Sequence, residues 1–433
     1  MKSQRRGKNI LRGIEPGSSG AQVKMKICNL CRREKVIELL DLGKQPVCHR
    51  FLSSPEQKEY SHPVTMGQCL GCGLVQLLDP MPMDELKPRF EWLECIEPEA
   101  HLDNLVQALT RLPWITKDSI ICGLSFKEDS TLARFNRAGY KNTWRIDPKT
   151  ELGISDPLAS VETVVNSLTP QKAEAMTNIR GKADIVIARH LIEHAFDIQE
   201  FMASVKSFIR PQGYIVLEIP DCERALNKCD YTTYWEEHIT YFTPTTFRNC
   251  FGFGGLSLVH FEAAPYPLED SYIGIAQVKP DLAEPSPSAA ALKAETGRFQ
   301  SFAQQLSGTR QRFKEYFREH TQTQGKVAIF GAAHMCCTFI NVLELKEYIE
   351  FVVDDNPHKK GMYMPGSRLP VCGSQALLEK DIKLCLLTLS PSSEKKVLEA
   401  HQDFISKGGT FCSIFPGNPL ALPLYDFALK GER

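Results

Sequence analysis

Two C-x-x-C pairs constrain this chain more than any other feature. Cys28-Asn29-Leu30-Cys31 and Cys69-Leu70-Gly71-Cys72 stand 37 residues apart. Two thiolates at this spacing face one ion from a single tight turn, and two such turns complete a tetrahedron. Zn²⁺ is the default ion for four sulfur donors, so Cys28, Cys31, Cys69 and Cys72 are read as the ligands of a structural zinc. A closed four-thiolate shell keeps no open position, which gives the site no catalytic role. Gly71 and Gly73 relieve the turn beside the second pair. The 15 cysteines are irregularly spaced along 433 residues, and the basic N-terminus lacks the apolar core of a secretion signal. Metal-bound or buried free thiols in a reducing, cytoplasmic setting fit this better than disulfides.

After the second pair the sequence reads as α/β. Ser119 to Leu124 is a buried strand, a helix starts near Ser130, and Thr143 to Asp147 is the next strand, ending on an acid. An acid at that place in a nucleoside-binding α/β unit accepts hydrogen bonds from ribose hydroxyls. The turn Gly123-Leu124-Ser125-Phe126-Lys127-Glu128 has one glycine, and Phe126 and Lys127 are expected to obstruct a ligand's approach or replace it with another contact. Ala183 to His190 and Tyr214 to Pro220 are further strands around a helix carrying Phe201, Val205 and Phe208. If that helix has begun by His190, His190 and His194 share one face of it. Leu102, Leu105, Val106 and Leu109 mark a helix, near which Trp92, Glu94 and His101 are placed to reach a ligand or simply to pack.

A connector rich in Pro, Ala and Ser follows Pro280, then a long helix with the stripe Phe299, Phe302, Leu306, Phe313. Lys326 to Phe330, a Gly-Ala-Ala turn and a strand ending at Asp354-Asp355 open a second nucleotide-fold-like unit. Its basic loop, residues 356–361, suits phosphate or solvent equally. The division expected is a loose basic tail (1–25), a zinc-binding unit (26–88), an α/β unit (89–280), a linker and helix (281–324) and a second α/β unit (325–433). A formal net charge of −1 draws the chain to neither nucleic acid nor membrane, and it has no apolar run long enough to span a bilayer.

The chemistry is placed in Tyr234-Trp235-Glu236-Glu237-His238-Ile239-Thr240-Tyr241-Phe242. Ligand-gripping side chains of an open α/β sheet sit just past strand ends such as Pro220. His238 is the group there that exchanges a proton near neutral pH without help. A solvated acidic loop is the plainer reading of the same residues.

The whole pattern resembles the sugar C-methyltransferases that join a zinc unit, an S-adenosylmethionine methyltransferase domain and a C-terminal Rossmann-like domain. The resemblance covers roughly residues 26–420. It rests on the C-x-x-C pairs with Leu42-Gly43-Lys44-Gln45-Pro46 between them, on Glu193-His194, on Glu237-His238-Ile239-Thr240-Tyr241-Phe242, and on Phe330-Gly331-Ala332-Ala333 with residues 353–361. It implies a class I methyltransferase-like Rossmann fold, and a small-molecule substrate such as a nucleotide-linked keto-deoxysugar. His238 would be the base, Glu237 or Glu236 would orient it, and Tyr241, Tyr234 or His194 would serve the developing enolate oxygen. The methyl donor would lie against Gly123, Ser125, Asp147, Arg189 and His190. The chain departs from the family pattern at Trp235-Glu236, at Leu124 to Asp129, at Phe90 to Cys95 and at Glu269 to Tyr272. Beside this reading stand a different enzyme on the same scaffold with a rebuilt donor site, and a non-catalytic zinc-containing partner protein.

Overall fold

The computed structural model describes residues 25–93, 98–279 and 284–425. The basic tail, Glu94 and the start of the connector lie outside them. The zinc unit is a five-stranded sheet ordered β1 (Lys26–Ile27), β2 (Glu34–Pro46), β3 (Ser61–Cys69), β4 (Val75–Leu77) and β9 (Thr240–Tyr241). The first four strands come from one stretch of chain. The fifth comes from the stretch around His238, with Tyr241 opposite Val75 and Thr240 opposite Gln76. The acidic loop is therefore held in register by a strand ladder at its far end.

A six-stranded sheet lies at the centre. Its strands are β5 (Ile121–Gly123), β6 (Thr143–Arg145), β7 (Ala183–Arg189), β8 (Ile209–Pro220), β10 (Leu256–Ala264) and β11 (Ser271–Val278), in the order β10-β11-β8-β7-β5-β6. β6, β5, β7 and β8 run parallel, and β11 pairs antiparallel with both β8 and β10. Every residue of β7 is buried, as expected of a parallel strand covered on both faces. The chain's course across the sheet reverses between β5 and β7. The crevice at that switch point, past the carboxyl ends of the strands, is where such folds bind ligands.

The third sheet is parallel, ordered β14 (Val371–Cys372), β13 (Val352–Val353), β12 (Lys326–Phe330), β15 (Ile382–Leu387) and β16 (Thr410–Ser413). The helix Ala289–Thr323 carries the expected stripe, and Phe299, Phe302, Leu306 and Phe313 are all buried. They join one apolar core with Leu40, Val64 and Met66 of the zinc unit and Val327 and Ile329 of the last sheet. Each buried phenylalanine contributes about 1.5–3 kcal/mol, enough to fix the third sheet against the first. No helix among the described residues is long and apolar enough to cross a membrane.

One local expectation needs correcting. His190 and His194 do not share a helical face. His190 ends β7 with φ 50°, His194 closes a short 3-10 turn (Ile192–His194), and the helix begins at Ile198, where Asp197 caps it.

Candidate active site

The four thiols come together as their spacing requires. Cys28 and Cys72 stand 3.6 Å apart at sulfur, as do Cys31 and Cys69, and all four sulfurs lie within 4.8 Å of one another. Zn–S bonds of about 2.3 Å in a tetrahedron place sulfurs about 3.8 Å apart, so the residues present fit zinc. Gly73 is needed at φ 84°, where its N–H donates to the Cys69 carbonyl.

His238 lies in a narrow cleft lined also by Glu193, Pro220, Asp221, Trp235, Thr240 and Tyr241. The Trp235 ring stacks on it at 5.7 Å, and the His194 ring meets it edge-on at 4.8 Å. Burial, followed by the neighbouring His194, holds the His238 imidazole well below its ordinary pKa. It is therefore neutral at physiological pH and carries a lone pair for a proton.

His194 is the opposite case. Burial favours its neutral form, yet the Glu162 carboxylate 2.9 Å from Nδ1 outweighs this and raises the pKa. Nδ1 also lies 3.1 Å from the Glu237 carbonyl, a second acceptor. The pair thus sets an imidazole biased toward its charged form against one held in its neutral form. Environments that push two titratable groups apart are what acid–base chemistry at one pH requires. Glu193 completes the group. It is buried, neither carboxylate oxygen has a hydrogen-bond partner, His190 Nδ1 is 3.5 Å from Oε1, and its ligand atom lies within 4.8 Å of those of His194 and His238.

The two carboxylates expected to orient His238 face elsewhere. Glu237 reaches His49 Nδ1 at 3.3 Å, and Glu236 is buried against the Cys48 N–H and His334. Both sit in the turn before β9, closed by the His238 N–H donating to the Trp235 carbonyl, and so lie outside the strand ladder. Glu193 is the carboxylate near His238, and its position beside His194 in sequence was the available signal. Glu162, an acid inside the apolar run Val161-Glu162-Thr163-Val164-Val165, was the other missed residue. Tyr241 lines the cleft, but its hydroxyl donates to the Trp235 carbonyl and accepts from the Trp235 N–H, which makes it a brace for the loop. The Tyr234 hydroxyl is buried and has no hydrogen-bond partner.

The residues read as donor-binding divide. Asp147 stands exposed just past β6, and its Oδ1 accepts from the Thr150 N–H and hydroxyl. That position and exposure suit ribose hydroxyls. Ser125, Arg189 and His190 each engage polar groups inside the protein. Ser125 caps the 3-10 turn Phe126–Glu128, accepting from the Lys127 N–H. Arg189, 1% exposed, donates to Glu218 and to the Lys127 carbonyl, while His190 and His101 each approach Glu218. Burial opposes ionisation of Glu218, but His101, His190 and Arg189 outweigh it and hold the carboxyl well below its usual range. The Gly123 turn is shaped by Glu128, and not by Phe126 and Lys127. Glu128 Cβ comes within 2.7 Å of where a Gly123 side chain would begin, and its carboxylate accepts from the Ser125 and Arg189 N–H groups. Burial pushes that carboxyl up to about 7. S-adenosylmethionine thus fits at its ribose end, by Asp147, with Glu128 taking the space that glycines leave open elsewhere. A cavity of about 320 Å³ is lined by Val165, Asn166, Ala195 and Phe196 among others.

In the third sheet, Asp354 accepts from the Ala332 N–H and from Lys359, and Lys360 pairs with Asp355. The basic loop is neutralised by its own acids. His101 bonds Tyr266, and Trp92 stacks on Phe90 and His358.

A parallel crevice with an acid past its second strand is the architecture of an α/β nucleotide-binding fold of the kind class I methyltransferases use. Three domain families match in order: a zinc binding domain over residues 28–86, a methyltransferase domain over 130–260 and a C-methyltransferase C-terminal domain over 279–416. The C-methyltransferase NovU of Streptomyces niveus is 22% identical over 403 residues, covering 90% of this chain and 95% of that protein. Solved structures with some likeness include the 1,6-didemethyltoxoflavin-N1-methyltransferase of Burkholderia thailandensis with S-adenosylhomocysteine (10% identity, TM-score 0.29, 42% of this chain and 79% of that one). Another is the magnesium protoporphyrin IX methyltransferase of Synechocystis with bound S-adenosylmethionine (16%, 0.27, 42% and 79%). The three matches in this order, and the likeness to NovU along nearly its whole length, make the chain similar to the three-part C-methyltransferases and support an S-adenosylmethionine-dependent methyltransferase with a zinc-binding N-terminal unit.

Proposed function

We propose that this protein methylates the carbon beside the ketone of a nucleotide-linked keto-deoxysugar or a similar keto compound. The observation that supports it best is the cleft in which neutral His238 faces charged His194 above buried Glu193. His238 removes the proton beside the ketone, which its depressed pKa allows because the imidazole is already neutral. His194, charged by Glu162, donates Nε2–H toward the enolate oxygen as negative charge develops there. Glu193 supports the protonated base once it has formed. Trp235 covers His238 and limits water. S-adenosylmethionine, when bound, supplies the methyl electrophile at the crevice bounded by Asp147. Alignment of acceptor carbon and methyl group provides much of the remaining acceleration.

The test is solvent-deuterium exchange at the carbon beside the ketone, followed by mass spectrometry, with and without S-adenosylmethionine. Exchange without donor and methylation with it are expected. His238→Ala should lose both by about 10²–10⁴-fold. Exchange undiminished in His238→Ala, or absence of any thermal stabilisation by S-adenosylmethionine or S-adenosylhomocysteine, would overturn the assignment.

A further inference from the structure

We propose that Cys48, Glu236 and His334 form a second zinc site, separate from the four-cysteine site, that clasps the three parts of the chain together. One ligand comes from each part. Cys48 follows β2, Glu236 lies in the loop before β9, and His334 opens the helix His334–Val342 after β12. Their ligand atoms lie within 4.8 Å of one another.

The hydrogen-bond pattern leaves a place for a cation. Glu236 is 0% exposed; Oε1 accepts from the Cys48 N–H, while Oε2 is buried with no hydrogen-bond partner. His334 Nε2–H donates to the Tyr234 carbonyl at 2.8 Å, which leaves Nδ1 as a bare lone pair. That lone pair faces Glu236 Oε2 at 3.6 Å. Two acceptors at this distance are too far apart to share a proton. Zinc bonds of about 2.0–2.2 Å to nitrogen and oxygen in a tetrahedron set such atoms about 3.4 Å apart. The four-cysteine site shows the same spacing between its own ligands, 3.6 Å. A backbone carbonyl on the far nitrogen of a ligating histidine is the usual device for fixing its tautomer. One thiolate, one imidazole and one carboxylate form a donor set that zinc accepts. The fourth position falls to water: the Cys337 thiol borders that of Cys48 but bonds the Pro365 carbonyl and accepts from the Asn341 amide.

The site touches the catalytic cleft indirectly. The His334 ring stacks on Trp235 at 3.6 Å and 5°, and Trp235 stacks in turn on His238. An ion on His334 therefore steadies the wall behind the base.

Metal analysis of the full-length protein, purified after growth with added zinc, tests this. About two zinc ions per chain are expected, falling to about one in His334→Gln and in Cys48→Ser with the four-cysteine zinc retained. About one ion in the wild-type chain, equilibrated with micromolar zinc, would refute the second site; a proton on Glu236 would then be the occupant. Two ions retained in both variants would refute the ligand assignment. Should the variants fail to fold, cobalt-substituted wild-type protein decides. A second cobalt population with a weaker thiolate charge-transfer band than the four-thiolate site supports the site, and a single four-thiolate spectrum overturns it.

Discussion

Replacing Glu162 by Gln should move the acid limb of the rate profile to higher pH, although Glu162 does not touch the base. In the native protein its carboxylate, 2.9 Å from His194 Nδ1, keeps that buried imidazole charged. A neutral amide in its place would remove the countercharge. Loss of an opposite charge at this range favours the neutral imidazole, so the His194 pKa falls. His238 then loses a cation whose ring centre stands 4.8 Å away. At that separation two unit charges repel by about 0.9 kcal/mol in a water-like medium and about 3.5 kcal/mol at an effective dielectric of about 20. The corresponding rise in the His238 pKa is about 0.6–2.5 units. Native His238 titrates well below 6.5, so activity falls only as pH drops through that low value. In Glu162→Gln the fall should begin at least half a unit higher, together with a lower plateau because the enolate donor has lost its charge. Histidine ring NMR titration of native and variant protein, paired with kcat/KM against pH, makes the measurement. An acid limb that stays in place or moves to lower pH would refute the coupling. Stability carries the same sign logic. The His194 pKa is raised on folding, so its contribution is full below about pH 6.5 and fades as pH rises through the raised folded value. The variant should therefore lose more stability at pH 6 than at pH 9.

Other outcomes follow from the same geometry. Cys31→Ser should release the four-cysteine zinc and, because β9 pairs with β4, also disorder the loop that holds His238; zinc content and exchange activity should fall together, and intact activity in a zinc-free variant would contradict this. Arg189→Met would leave Glu218 buried with only imidazoles for partners, at a cost of about 3–5 kcal/mol seen in urea unfolding; a change under about 1 kcal/mol would show that the network is not ionic. Trp235→Ala removes two ring stacks worth about 0.5–1.5 kcal/mol each, and should raise solvent access to His238, lowering kcat more than it changes KM.

Local chemistry made a large part of this protein legible before any fold was known. C-x-x-C spacing is a short-range geometric statement, so it determined the zinc ligands. The period of apolar residues determined most strands and the stripe of the long helix, because burying one face is a local demand on each element. His238 was singled out by its chemical type and by its place past a strand end. Partnership was decided only in three dimensions. The turn before β9 engages Glu237 with His49 and Glu236 with Cys48 and His334, while the Ile239 N–H bond to the Glu193 carbonyl brings Glu193, 45 residues before His238 in the chain, beside it. Surroundings then biased the charges: the same imidazole group is held neutral at His238 and drawn toward its charged form at His194 because only one of them has Glu162 within hydrogen-bond distance. Residue type announces that a proton can move; the protonation state comes from desolvation and neighbouring charge, which only packing across distant segments creates.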